Sequence, residues 1–186
     1  MRIISGLYRG RQLHVAKDAK LRPTASAIRE TIFNICQNEI EGACFLDLCA
    51  GTGAVGLEAL SRGAKSAIFV EVDRAHAKII KKNIDSLGVQ RKTRLYVADC
   101  LEAIKKMSKQ GMQFEMIFAD PPYGSAEHSL SDEILLALDA TSLLKKGGTL
   151  FLEDKKIASN LDLPLKQLQL KKHRLVGPVC LRQYSI

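Results

Sequence analysis

From residue 43 onward, apolar and polar positions follow one repeated pattern: a short apolar run, a glycine or acidic turn, then apolar residues returning at helical spacing. Ala43-Cys44-Phe45-Leu46-Asp47-Leu48 suits a strand buried on both faces, and Gly51-Thr52-Gly53 leads into a short helix ending near Arg62. Ser66 to Glu71 is a second strand. Asp73 then caps a helix carrying Ile79, Ile80, Ile84 and Leu87, which Gly88 stops. Thr93 to Ala98 is a third strand, followed by a helix that Asp99 opens and that carries Leu101, Ile104 and Met107. Phe114 to Ala119 is a fourth strand, and Leu130, Ile134, Leu135 and Leu138 mark the next helix. Gly147-Gly148 turns the chain into a fifth strand, Thr149 to Leu152. Such alternation predicts an α/β, Rossmann-like fold: a mostly parallel seven-stranded sheet with helices on both faces and right-handed crossovers. The tail departs from the pattern. Two extended segments, about 167 to 175 and 179 to 185, flank Gly177-Pro178 and predict a hairpin that completes the sheet with at least one antiparallel strand.

The first forty residues read differently. Residues 1 to 22 suit a short β-hairpin and loop, closed by Arg22-Pro23-Thr24. Thr24 or Ser26 can cap a helix from about 25 to 40, with Ile28, Ile32, Ile35 and Cys36 on one face, Arg29 off that face, and Gly42 at its end. The expected division is a basic appendage of hairpin and docking helix over 1–41, and a catalytic domain over 42–186. No internal repeat or linker interrupts the 186 residues, enough for one domain with a sizeable core. Net charge is +8, and the first 29 residues carry seven basic side chains against Asp18 alone. Because these alternate with Ile3, Ile4, Leu13 and Val15 around Gly6 and Gly10, they predict a folded basic face, the footprint of a nucleic-acid binder.

Other classes are excluded by composition. No apolar run approaches the roughly 18 residues of a membrane span, and the opening residues break too early for a signal peptide, so a cytoplasmic location is expected. The cysteines Cys36, Cys44, Cys49, Cys100 and Cys180 form no CxxC pair and read as reduced packing residues. Scattered His14, His76, His128 and His173 supply no zinc site.

Candidate chemistry gathers where open parallel sheets bind ligands, beyond the carboxyl ends of the strands. Asp47, Glu71, Asp99 and Asp120 each fall at or just after the end of a predicted strand. A buried acidic rim calls for a ligand rich in hydrogen-bond donors. Gly51-Thr52-Gly53-Ala54-Val55-Gly56 matches GxGxxG, and Glu71 follows Gly51 by twenty residues, the spacing at which an acid reaches ribose hydroxyls. That pattern serves either a nicotinamide dinucleotide or S-adenosylmethionine. Asp47 favours the second, because a carboxylate before the glycine turn repels pyrophosphate but helps hold a cationic ligand through water or backbone. Asp99 suits an acceptor for the adenine amine and equally a helix N-cap. Asp120-Pro121-Pro122-Tyr123 combines a carboxylate, a stiffened backbone and an aromatic face, parts that suit a planar ring bearing an amine.

The order Asp47-Leu-Cys-Ala-Gly-Thr-Gly, Glu71, Asp99, Asp120-Pro-Pro-Tyr resembles the class I S-adenosylmethionine-dependent methyltransferases that modify exocyclic amines. More narrowly, Arg2-Ile-Ile-Ser-Gly, Arg9-Gly-Arg, Arg22-Pro-Thr, Arg29-Glu-Thr-Ile-Phe-Asn and Leu57-Glu-Ala-Leu-Ser-Arg-Gly-Ala are similar to the RsmD-type enzymes, which methylate N2 of one guanine in bacterial small-subunit (16S) ribosomal RNA. The resemblance runs from residue 1 to about 155. Cys49 replaces the family's usual Phe, and Ser26-Ala27 replaces an Asp-Arg pair. The implied cofactor is S-adenosyl-L-methionine, with Asp47, Ala50, Gly51, Thr52, Gly53, Glu71, Asp99 and Cys100 as contacts. The implied partner is 16S ribosomal RNA, within a small-subunit assembly intermediate, bound by a monomer.

On this reading Asp120 and the Pro121 carbonyl accept the two N–H bonds of the target amine, and Tyr123 stacks on a flipped or unpaired base next to Pro122. Arg9, Arg11, Arg22 and Arg29 are the candidate contacts to RNA phosphate, Arg29 being equally a solvated charge. Glu153 and Lys155-Lys156, past the fifth strand, read first as solvated charges and second as substrate contacts. Adenine N6 methylation, a nicotinamide oxidoreductase and a non-catalytic RNA binder are the alternatives.

Overall fold

The computed structural model describes residues 1–15, 26–122, 129–155 and 163–186. Its elements in chain order are α1 (Ser26–Ile35), β1 (Cys44–Leu48), α2 (Ala54–Ser61), β2 (Ser66–Glu71), α3 (Arg74–Leu87), β3 (Thr93–Val97), α4 (Cys100–Lys109), β4 (Phe114–Ala119), α5 (Leu130–Asp139), β5 (Leu144–Lys155), β6 (Gln169–Val176) and β7 (Val179–Ser185). Local chemistry sets many of these boundaries. Asp73 accepts from the N–H groups of Ala75 and His76 at 2.6 and 3.1 Å, satisfying donors that the first turn of α3 leaves unpaired. Gly88 ends that helix in the left-handed conformation. Asp99 caps α4 in the same way.

The strands form one seven-stranded sheet in the order β3-β2-β1-β4-β5-β7-β6. The first five pair in parallel, while β7 runs antiparallel to β5 and β6 antiparallel to β7, as the tail pattern predicts. On one face Phe45, Phe69, Met116, Phe118, Phe151 and Leu181 pack against α1, α2 and α3. On the other, Leu46, Leu48, Val70, Ile117, Leu150 and Leu152 pack against α4 and α5. The order of connection reverses between β1 and β4, so a crevice opens there at the carboxyl ends.

Residues 1–13 fold back onto α2, and one buried side chain organises the contact. Glu58, fully buried, accepts from Ile4 N and Ser5 N at 2.8 and 2.9 Å, from Arg29 Nη1 at 3.2 Å and from Arg62 Nε at 2.9 Å. Ile3 and Leu13 enter the same core cluster as α1 and α2. Gly6, at φ +83°, is pressed so closely to α2 that a Cβ would lie 1.9 Å from Ser61 O.

Several expectations need correction. The N-terminal hairpin is a short one, with a single antiparallel bridge, Arg2 to Gln12, and backbone bonds from Ile3 N to Arg11 O, Gly10 N to Ile3 O and Leu13 N to Met1 O, while the N–H groups of Ile4, Ser5 and Tyr8 go to Glu58 and Ser61. The docking helix ends at Ile35, and exposed Gln37, Asn38 and Glu39 form the turn that brings Ile40 into the core. Gly147 and Gly148 lie inside β5, at an irregularity between the Phe114 and Met116 pairings, and the strand runs on to Lys155. Arg29 is 2% exposed, paired with Glu58 and donating to Arg2 O at 3.1 Å. It is neither a solvated charge nor a phosphate contact, since its guanidinium is buried within the fold. Burial pushes its pKa down, opposed by the Glu58 charge. Replacing Arg29 with Ala strands part of a buried carboxylate and is expected to cost about 3 kcal/mol in urea unfolding.

Candidate active site

Strand register builds the site. Asp47 pairs with Phe69 on one side and Phe118 on the other, and Phe118 pairs with Phe151. Two residues further along the pleat, Glu71, Asp120 and Glu153 end β2, follow β4 and approach the end of β5, all on the face of α1, α2 and α3. Asp47 lies one step inside this row and feels the charges of Asp120 and Glu71. Asp99 follows two residues beyond Val97, the partner of Glu71, at the same carboxyl end of the sheet, and is exposed.

Asp47 is 1% exposed. Its Oδ2 accepts from Gly56 N at 2.9 Å, while Oδ1 is buried without a hydrogen-bond partner among the described residues. Burial pushes its pKa well above the ordinary 3.8, with Asp120 and Glu71 adding to the shift and the Gly56 N–H opposing it. Gly56 is required by close approach: a Cβ would lie 2.4 Å from Phe69 Cε1 and 3.2 Å from Asp47 Oδ2. The glycine turn is further shaped by Glu71, whose Oε2 accepts from Gly51 N at 2.7 Å and whose Oε1 accepts from Asp73 N at 2.9 Å. Ala50 and Gly51 are half-exposed at the mouth, whereas Thr52 and Gly53 are buried beneath it. The Thr52 carbonyl accepts from Asn83 Nδ2 at 3.0 Å. These bonds leave the turn preformed.

Asp99 Oδ1 accepts from Leu101 N and Glu102 N at 2.9 and 3.2 Å, so the N-cap role holds. Cys100 is buried behind it, and its thiol interacts with that of Cys49, which sits at φ +60° between β1 and the glycine turn. That interaction and burial push the Cys49 thiol up. All five cysteines are free.

Asp120 is half-buried, its N–H directed at Leu48 O at 3.4 Å; Pro121 is buried and Pro122 exposed. Tyr123, Arg22, Thr24 and Lys156 lie outside the described residues. Arg9 and Arg11 are exposed on the N-terminal segment, and Arg11 Nη2 donates to Ser86 O at 2.7 Å. Glu153 is 5% exposed, not solvated, because β5 continues past Leu152.

Two organising residues escaped the sequence reading. Glu58 was visible as the lone acid within Ala-Val-Gly-Leu-Glu-Ala-Leu-Ser, a signal that a buried partner was needed. Asn83, fully buried, accepts from His14 N at 2.7 Å and donates to His14 O and Thr52 O, tying the N-terminal segment to the glycine turn. Only the fold brings those three positions together.

This sheet order, with acids along the carboxyl ends at the reversal point, is the fold of class I methyltransferases. A solved Escherichia coli structure titled "Putative methyltransferase yhhF" superposes with a TM-score of 0.85 at 32% identity, covering 99% of this chain and 96% of that one. The family described as "Conserved hypothetical protein 95" matches residues 1–185, and the chain belongs to that family, the RsmD family. Ribosomal RNA small subunit methyltransferase D of Haemophilus influenzae is 33% identical over 188 residues, covering 100% of this chain and 93% of its own. Its Escherichia coli K12 namesake is 33% identical over 185 residues, covering 100% and 89%. The likeness thus extends through the tail, beyond the expected limit near 155, and membership of a methyltransferase family sets aside the nicotinamide alternative.

The raised Asp47 pKa has a thermodynamic consequence. Between the ordinary 3.8 and the raised value the folded protein holds a proton that the unfolded chain has released, so stability falls as pH rises through that window. Asn at this position keeps an acceptor for Gly56 N–H and removes the charge. Asp47→Asn is therefore expected to raise the thermal midpoint of the cofactor-free protein at pH 8, with the gain shrinking towards pH 4, as differential scanning calorimetry would show.

Proposed function

We propose that this chain methylates the exocyclic N2 amine of one guanine in small-subunit (16S) ribosomal RNA, with S-adenosylmethionine as methyl donor. The broader part, methylation of ribosomal RNA, is supported by the relatives named for it along the full chain. The observation that supports amine chemistry is that Asp120-Pro121-Pro122 follows β4 at the carboxyl end of the sheet, next to β1, where Asp47 feels the charges of both Asp120 and Glu71.

The residues present fit such a donor. Asp47 Oδ1 is a buried acceptor with no hydrogen-bond partner among the described residues, and the absence of a side chain at Gly56 lets α2 approach Asp47 and Phe69 closely. Asp47, Ala50, Gly51, Thr52, Gly53, Glu71, Asp99 and Cys100 would hold the cofactor, Glu71 on the ribose and Asp99 on the adenine amine. When bound, S-adenosylmethionine supplies a sulfonium methyl group as electrophile. An exocyclic amine is a weak nucleophile because its lone pair is delocalised into the ring. Asp120 and the Pro121 carbonyl accept its two N–H bonds, which localises the lone pair on nitrogen and orients it for direct transfer. No covalent enzyme intermediate is needed, and the cysteines take no part. Tyr123 stacks on the flipped base beside Pro122, while Arg9, Arg11 and Arg22 bind phosphate. The enzyme acts as a cytoplasmic monomer on an assembly intermediate, and its basic appendage is the RNA-gripping part.

Transfer of labelled methyl to small-subunit particles from cells lacking this protein, followed by nucleoside analysis, is expected to give N2-methylguanosine; label in adenine would overturn the base assignment. Asp120→Ala is expected to abolish this transfer while S-adenosylmethionine still binds by calorimetry, and retained turnover would rule out the mechanism. Neutralising Arg9 and Arg11 together is expected to weaken RNA binding and reduce the slope of log K against log salt by about 1 to 2.

A further inference from the structure

Away from the crevice, the sheet ends in a positively charged edge. The glycine turn, Glu71 and Asp99 belong to the β1, β2 and β3 side of the sheet, which sets the proposed methyl donor to one side of Asp120. The target base then comes in over β4 and the strands beyond it, β5, β7 and β6. Last in that order, β6 carries the run Lys171-Lys172-His173-Arg174, of which the first three are exposed and Arg174 half-buried. Facing Lys172, His173 and Arg174 on β7 are Gln183, Arg182 and Leu181, none of them acidic. Lys171 Nζ donates to Gln169 Oε1 at 2.8 Å and Arg174 Nη1 to Gln183 Oε1 at 3.3 Å, both uncharged acceptors. Among the described residues no ion pair holds any of the four. Leu181 pairs with Glu153 on one side and Arg174 on the other, so Arg174 stands level with the carboxyl-terminal part of β5. Three strand spacings, about 14 Å, separate β6 from β4, which brings this edge within reach of nucleotides flanking the target base.

Resting on the ribosomal RNA reading above, we propose that the β6 edge is a second RNA-binding surface, on which Lys171, Lys172 and Arg174 neutralise phosphates of the strand that flanks the target base. Lys172 and Arg174 lie two residues apart and share a face with Leu181, the face of α1, α2 and α3. Lys171 falls at the register shift between Leu170 and Lys172, so it stands outside the regular pairing. Contacts of this kind position the RNA without reading its sequence. Charged side chains, lysine above all, also guard an unpaired sheet edge against pairing with another chain. The two roles differ in the sign they require. Guarding is served by charge of either sign, whereas phosphate contact needs positive charge and releases counterions from the RNA.

That difference in sign is the test. Binding to small-subunit particles from cells lacking this protein is measured across a salt series for the wild type and two triple variants, Lys171→Gln/Lys172→Gln/Arg174→Gln and Lys171→Glu/Lys172→Glu/Arg174→Glu. The Gln variant is expected to lower the slope of log K against log salt by about 2 to 3. The Glu variant keeps the edge charged and is expected to bind more weakly still, with the loss appearing in KM for particles and the dissociation constant for S-adenosylmethionine unchanged. A Glu variant that binds particles as the wild type does would show that the run only guards the edge, and would overturn the inference. The wild type supplies a readout that needs no substituted protein to fold: Lys171 and Lys172 are expected to be shielded from acetylation by an amine-reactive reagent when particles are bound. Full reactivity of both lysines in the bound state would also overturn the assignment while leaving the ribosomal RNA reading intact. Failure of the wild type to bind or methylate small-subunit particles would instead remove that reading, and this inference with it.

Discussion

The carboxylate of Asp47 is the constraint around which the site is assembled. It reaches from β1 into the start of α2, takes the Gly56 N–H, and leaves its other oxygen buried and unsatisfied among the described residues. A glycine is obligatory opposite it because Phe69 and Asp47 itself fill the space a side chain would need. A strand, a turn and a helix are thereby locked at a separation that permits a preformed ligand cradle. Such an arrangement stores unfavourable electrostatics in the unliganded protein, the usual expense of a site arranged in advance.

Two other buried polar groups join the N-terminal segment to this frame. Glu58 gathers two backbone donors from residues 4 and 5 and two arginines, and Asn83 grips the backbone of His14 while also holding Thr52 of the glycine turn. In both cases a polar side chain is fully enclosed and bonded, so a shift of the segment would strand donors in the core. The exposed basic residues Arg9 and Arg11 are consequently carried on a fixed platform and not on a free tail. Charge is partitioned as a result: acids line the crevice, where the proposed donor and amine present positive charge and N–H bonds, and cations lie outside, where phosphates would approach.

Much of this protein was determined by sequence alone, and the reason is locality. Alternating apolar runs and helical repeats placed most strands and helices to within a residue or two, the end of α1 and both ends of β5 excepted, because burial on both faces of a parallel sheet leaves little ambiguity. Asp73, Asp99 and Gly88 declared helix ends through bonds to their own neighbours. The placement of Asp47, Glu71 and Asp120 at strand ends was legible once strands were assigned, since the chemistry of such folds gathers at those ends. Tertiary structure decided everything that depends on partners distant in the chain. Arg29 looked like one more exposed cation of a basic stretch, and only the packing of α1 on α2 showed that Glu58 holds it inside. Glu153 looked solvated because the strand was read as ending at Leu152; the pairing of β5 with β7 extends the strand and buries that side chain. Periodicity tells which face a residue takes, but the identity of the residue it meets is set by register, and register is a property of the whole sheet.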